Sequence, residues 1–204
     1  MILFMLGGKA VNYPNGKRSL SNIKSKTTNQ TFSNRGMTLE EDINQTNQYY
    51  LDMDLAIIHK KPTPIQIVKV NYPKRSAAVI TEAYFKQAST TDYNGLYRNH
   101  YVDFEAKETK NKHSFPLANV HEHQIHHMES IIKHGGICFM IIRFAHHDET
   151  YLLEAKELLA FWYEKEADGR KSIPYTQIKQ RGHFIPFKYQ TRVDYLSIID
   201  QLYF

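Results

Sequence analysis

Seven residues, Tyr101-Val102-Asp103-Phe104-Glu105-Ala106-Lys107, constrain this chain more than any other stretch. Read as a β-strand, they put Val102, Phe104 and Ala106 on one face and Asp103, Glu105 and Lys107 on the other, because side chains alternate along extended backbone. Two carboxylates and an ammonium in one row are costly to bury without partners, so a metal ion or an ion pair is expected to compensate. Asp92 stands thirteen residues before Glu105. With a hairpin between them, Asp92, Glu105 and Lys107 converge on one point. Hard oxygen ligands beside a cation are what metal-assisted hydrolysis of a phosphodiester requires. The spacing alone is weak evidence, because a solvated strand face carrying a cross-strand ion pair has the same pattern.

The rest of the chain suggests an α/β fold, a mixed central sheet flanked by helices. Its 204 residues suffice for one domain, or one domain with an appendage, that buries a real core. The apolar run Ile137-Cys138-Phe139-Met140-Ile141-Ile142 reads as a buried central strand, with Cys138 an inert core thiol. A lone cysteine excludes an intramolecular disulfide, and cytoplasmic residence is the default. Nothing approaches a membrane span or a signal peptide. Residues 1–32, rich in Asn, Ser, Thr and Lys, read as a flexible basic arm, and 33–204 as the folded domain. Thr38 with Glu41 makes a capping box for a helix over 38–51. Leu55 to His59 follows as a short strand. Residues 62–87, punctuated by Pro62, Pro64 and Pro73, read as a projecting hairpin-like insertion. Tyr93-Asn94-Gly95-Leu96-Tyr97 reads as the hairpin turn that delivers the Glu105 strand. A helix over His121 to Lys133 is stopped by Gly135-Gly136; the chain continues as a strand to Arg143, a turn at His146-His147-Asp148 and a strand to Leu153. Helices over Ala155–Lys165, Tyr175–Gln180 and Asp194–Leu202 complete the chain.

The net charge of +5 is unevenly spread. Residues 1–38 hold Lys9, Lys17, Arg18, Lys24, Lys26 and Arg35 with no acid, and residues 59–81 hold Lys60, Lys61, Lys69, Lys74 and Arg75 with none. Bases interleaved with Tyr84 and Phe85 suit a polyanion, neutralising phosphates while the rings stack or wedge. Arg35 is placed to reach a phosphate, or equally to sit in solvent. Glu40, one turn into the first helix, either enlarges a negative metal-binding cluster or simply favours the helix N-terminus. Zinc is refused by the spacing: His121-Glu122-His123-Gln124-Ile125-His126-His127 has Ile125 where H-E-x-x-H needs its second histidine. Gln124 offers an amide oxygen to a metal-bound water or to the ion. No triad, P-loop or dinucleotide fingerprint is visible.

These residues carry a resemblance to the RecU family of bacterial Holliday-junction resolvases, which are restriction-endonuclease-like nucleases. It is most specific in Asn34-Arg35-Gly36-Met37, Lys60-Lys61-Pro62-Thr63-Pro64-Ile65-Gln66, Phe85-Lys86-Gln87-Ala88-Ser89-Thr90-Thr91-Asp92-Tyr93, Asp103-Phe104-Glu105-Ala106-Lys107-Glu108-Thr109 and Arg170-Lys171-Ser172-Ile173-Pro174. The resemblance implies a homodimeric endonuclease, dependent on one or two Mg²⁺ per site with Mn²⁺ as substitute, that nicks four-way junctions symmetrically in recombination and repair. It also implies partnership with the RecA recombinase and the branch-migration machinery, near the bacterial nucleoid. Position by position, it makes Thr90, Asp92, Glu105 and Gln124 the metal-site residues and Lys107 the transition-state stabiliser. Residues 62–87 match the family's projecting stalk, with Arg75 at a position tied to junction binding and RecA modulation. The alternative is a non-catalytic junction binder or RecA regulator whose carboxylates are structural. A sequence-specific restriction endonuclease is a further rival.

Overall fold

The first helix begins where its cap dictates. Thr38 is extended (φ −69°, ψ 158°), its hydroxyl accepts the Glu41 N–H, and the Glu41 carboxylate accepts the Thr38 N–H at 2.8 Å. This closes the capping box and satisfies two of the donors a helix start leaves free. The computed structural model describes residues 37–74, 77–86 and 90–204. Arg35, Arg75 and the basic arm at 1–32 lie outside the described residues.

In chain order the elements are α1 (Leu39–Asp52), β1 (Ile57–Lys60), β2 (Ile65–Asn71), β3 (Val79–Phe85), β4 (Tyr93–Tyr97), β5 (His100–Thr109), β6 (Ser114–Pro116), α2 (Glu122–Lys133), β7 (Ile137–Phe144), β8 (Glu149–Glu154), α3 (Ala155–Glu166), β9 (Ser172–Pro174), α4 (Tyr175–Arg181), β10 (His183–Ile185) and α5 (Leu196–Tyr203). A six-stranded sheet has the order β1-β4-β5-β7-β8-β10. The β5–β7 pairing is parallel and the other pairings in this sheet are antiparallel, so the sheet is mixed. A parallel pair needs a long crossover, which here runs through β6 and α2. The α/β class expected from the sequence is the class found.

β7 lies inside the sheet and is buried along its length except at Arg143, which explains its near-continuous apolar run. Alternation divides the core in two. Phe104, Phe139 and Ile141 pack with Ile43, Tyr50, Tyr195 and Ile199, while Met140, Ile142 and Phe144 pack with Ile125, Met128, Leu158 and Trp162. In register, Asp103 faces Cys138, Glu105 faces Met140 and Lys107 faces Ile142, so the charged row of β5 belongs to the layer of α2 and α3. Burial pushes the Cys138 thiol well above its usual range, and Asp103 adds to this, in keeping with an inert core thiol.

The expected turn at Tyr93–Tyr97 is instead strand β4, and the chain reverses one step later, at Arg98 (φ 45°) and Asn99 (φ 62°). Two consecutive positive φ values match the twist of the flanking strands, as in a two-residue hairpin loop. Gly95 serves close approach and not the turn. A Cβ there would lie 1.9 Å from the Ile57 carbonyl oxygen of the paired strand β1. Asp92 accordingly stands just before β4. The short strands β6 and β9, which pair with each other, and the edge strand β10 were not foreseen.

The chain divides into two compact units, with residues 65–84 in one and 34–64 with 85–204 in the other. Within the first, β2 and β3 form a two-stranded sheet tied by the Thr81 hydroxyl, which donates to the Lys69 carbonyl at 3.3 Å. Ile65, Ile67, Val68, Val79, Ile80 and Tyr84 are all exposed.

Candidate active site

Because β4 is antiparallel to β5 and Tyr93 pairs with Phe104, the residue before Tyr93 comes level with Glu105. The Asp92 N–H donates to Glu105 Oε2 at 3.1 Å. Glu105 is fully buried, and Lys107 Nζ lies 2.6 Å from its Oε1. That approach is not aligned as a hydrogen bond, which leaves Oε1 a buried acceptor without a hydrogen-bond partner. The sequence-predicted Asp92, Glu105 and Lys107 are therefore brought together. Burial raises the Glu105 carboxyl from its ordinary 4.5 to about 7; Lys107 opposes the rise and Asp92 adds to it. A carboxyl held near neutrality beside a second carboxylate is a frequent mark of a functional site.

This shift has a sign that can be checked in metal-free protein. With its folded-state value above its unfolded one, Glu105 takes up a proton on folding between about pH 4.5 and 7. It therefore costs stability as pH rises through that window. Glu105→Gln is expected to remove most of this dependence, an effect on the order of 2 kcal/mol between pH 5 and pH 8. Urea unfolding in chelator at both pH values measures it, and parallel pH curves for parent and variant would contradict it.

The rest of the row departs from expectation. Asp103, on the same face as Glu105 and fully buried, is a hub that the sequence reading did not single out. Its Oδ2 accepts from Lys61 Nζ at 2.8 Å and Tyr101 OH at 2.9 Å, its Oδ1 accepts a short bond from the Thr91 hydroxyl, and His127 Nε2 lies 3.2 Å away. Tyr101, two residues earlier on the same face, and an adjacent hydroxyl at Thr91 were the available signals.

Of the other candidates, Thr90 is half-buried, and its hydroxyl donates to the Thr91 carbonyl at 3.3 Å. Gln124 is buried at the start of α2, and its Oε1 accepts the His121 N–H at 3.0 Å, completing a capping box. Glu40 pairs with Lys60 and lines a cleft of about 240 Å³ with Thr38, Leu39, Asp92, Tyr93, Ala106 and Glu108. Lys61 turns inward to Asp103, whereas Tyr84 and Phe85 are well exposed and Lys69 and Lys74 are exposed. Among the described residues, no group of three or more His, Cys, Asp or Glu side chains is arranged to hold a metal ion. The oxygens of Asp92 and Glu105 nonetheless fit a hard divalent ion, since one Glu105 oxygen is buried without a hydrogen bond. A cation there must complete its shell with main-chain, amide or water oxygens, of which the Ala106 carbonyl adjoins Glu105 in the chain, and Ala106 lines the same cleft as Asp92.

Comparison with known proteins bears on this geometry. Residues 34–201 match the family described as RecU, Recombination protein U. The chain belongs to the RecU family. RecU relatives cover it almost end to end. A Holliday junction resolvase RecU from Oceanobacillus iheyensis is 65% identical over 196 residues, 95% of this chain and 100% of the relative. Proteins of the same name from Geobacillus kaustophilus and Bacillus cereus are 60% and 55% identical, each over 197 residues and 98% of the relative's length. The RecU match contains Asp92, Glu105, Lys107 and the Asp103 hub alike.

Proposed function

We propose that this RecU-family chain is a Mg²⁺-dependent, structure-selective endonuclease that resolves Holliday junctions by paired symmetric nicks, acting as a homodimer. The names of its near-full-length relatives support the resolvase activity. The observation that carries the hydrolytic chemistry is the buried Glu105, one oxygen without a hydrogen bond, beside Asp92 and Lys107. Asp92 and Glu105 would hold the ion, and the family resemblance adds Thr90 and Gln124 to that set. A divalent cation held there would supply charge neutralisation at the scissile phosphate and would lower the pKa of attacking water. Lys107 places an ammonium beside that point, where it stabilises the negative charge that grows as the phosphorus–oxygen bond forms, a contribution realised mainly in the transition state. Glu40 keeps Lys60 at the cleft, where the pair screens or contacts the incoming backbone.

Paired nicks follow from symmetry. A four-way junction offers two equivalent strands, and a two-fold dimer presents two sites related by the same operation. Lys69 and Lys74 with exposed Tyr84 and Phe85, and with Arg35 and Arg75 outside the described residues, supply phosphate contacts and apolar wedges suited to an open junction. Recombination and repair in the bacterial cytoplasm, alongside RecA and branch-migration proteins, form the setting. Among the described residues no helix is long and apolar enough to cross a membrane.

The test is a labelled four-way junction and its matching duplex, incubated with and without divalent ions. Cleavage confined to the junction is expected in Mg²⁺ or Mn²⁺, with none in chelator. Ca²⁺ is expected to support binding with little cutting, because its larger, looser shell places water less well. Tight junction binding with no cutting in any metal would favour an architectural binder, and cutting of linear duplex at one sequence would favour a restriction enzyme.

A further inference from the structure

Asp103 and Glu105 stand on the same face of one strand, both fully buried, yet their oxygens are used differently. A carboxylate has about four lone-pair directions on its two oxygens. Those of Asp103 meet Lys61, Tyr101, Thr91 and His127, two groups on each oxygen. Asp103 is thus engaged on both oxygens by hydrogen bonds from three other residues, whereas Glu105 accepts only the Asp92 N–H and otherwise ion-pairs with Lys107. The partners of Asp103 are also placed in a telling way. Lys61 spans the segment ahead of β4 twice: its main-chain N–H donates to the Asp92 carbonyl at 2.7 Å, and its Nζ donates to the Thr91 hydroxyl at 3.0 Å. Thr91 in turn donates to Asp103. Asp92, which precedes β4 and belongs to no strand, is thus held at its carbonyl by Lys61, at its N–H by Glu105 and through its neighbour by Asp103.

We propose that Lys61, Thr91 and Asp103 form a clamp of positioning residues that sets the Asp92 carboxylate against Glu105, and that Lys61 serves this clamp and not a DNA phosphate. The inference rests on the reading of Asp92 and Glu105 as divalent-ion ligands. Its physical basis is preorganisation: a ligand on an unpaired segment binds an ion well only if surrounding hydrogen bonds remove its other positions. Lys61 lies in a basic stretch whose other members suit phosphates, so the same residue has two readings with different consequences.

The experiment compares Thr91→Val, Thr91→Ser and Lys61→Met with the parent. Mn²⁺ affinity is read by electron paramagnetic resonance on the DNA-free protein, and junction affinity in Ca²⁺ is read across several salt concentrations. Thr91→Val and Lys61→Met are expected to weaken Mn²⁺ binding by roughly three- to tenfold, taking the low end of what outer-shell partners of metal ligands cost. Thr91→Ser restores the hydroxyl and is expected to stay within about twofold. Junction affinity of Lys61→Met and its salt slope are expected to match the parent, whereas loss of a phosphate contact lowers the slope by about 0.9. Unchanged Mn²⁺ affinity in folded Thr91→Val and Lys61→Met overturns the clamp while leaving the metal reading intact. A lowered salt slope for Lys61→Met makes Lys61 a phosphate contact and overturns its part. Loss of the folded circular-dichroism spectrum in both variants makes the cluster a core support and also overturns the clamp. A parent that binds no Mn²⁺ removes the metal reading, and the clamp with it.

Discussion

Asp92→Asn, Glu105→Gln and Lys107→Ala are each expected to lower the rate of junction cleavage by roughly a hundred- to a thousandfold or more, the scale on which loss of one preorganised electrostatic group acts. The carboxyl changes remove charge where the proposed cation would sit, and the lysine change removes an ammonium 2.6 Å from Glu105. None of the three takes volume from the apolar clusters of the core. Folding and junction binding should therefore outlast cutting. Single-turnover cleavage of a labelled junction in Mg²⁺, with binding measured separately in Ca²⁺, separates the two. Near-parental cleavage by any one purified, folded variant would remove that residue from the site.

Asp42→Ala is expected to destabilise the protein by about 3–5 kcal/mol, the usual cost of removing one partner from a buried ion pair. Asp42 is buried in the first turn of α1 and receives Arg143 Nη1 at 2.7 Å and Arg192 Nη1 at 3.2 Å. Truncation leaves two nearly buried guanidinium groups facing each other without an anion. The Arg192 side chain is 9% exposed and that of Arg143 12%, so solvent can relieve little of this. The urea midpoint reads the loss directly, and a change below about 1 kcal/mol would mean that the two arginines find other partners.

What could be read from the sequence depended on how local its cause was. The capping box of Thr38 and Glu41 involves four consecutive residues and could be read directly. So could the run at Ile137–Phe144, whose composition already implies burial on both faces. Asn94-Gly95 misled because its glycine answers to Ile57, a residue far away in sequence, and not to its own neighbours. The charged row of β5 was recognised, but its division of labour was not. Asp103 and Glu105 look alike in sequence, and only Lys61 and Thr91, brought in from other segments, tie up one in hydrogen bonds while the other faces Asp92 and Lys107. Asp42 reads as an ordinary first-turn acid until Arg192 reaches it from 150 residues on.

That last contact is one of several, and they set an order of assembly. Val193 N–H donates to the Thr46 hydroxyl, Tyr50 donates to Asp194 and Tyr195 donates to Asn47, so α1 is stitched to the far end of the chain. A ribosome adding about 5–20 residues per second takes roughly 8–30 s to cover that separation. During that time the apolar face of α1 can meet β1 and β5 but lacks Tyr195 and Ile199, which complete its side of the core. The β4–β5 hairpin, whose pairing spans only a few residues, needs no such wait. A nascent chain can therefore hold Asp92 and Glu105 together while α1, already made, still lacks its bonds to residues 192–195, so the cleft that Thr38, Leu39 and Glu40 wall is completed only when that late segment docks.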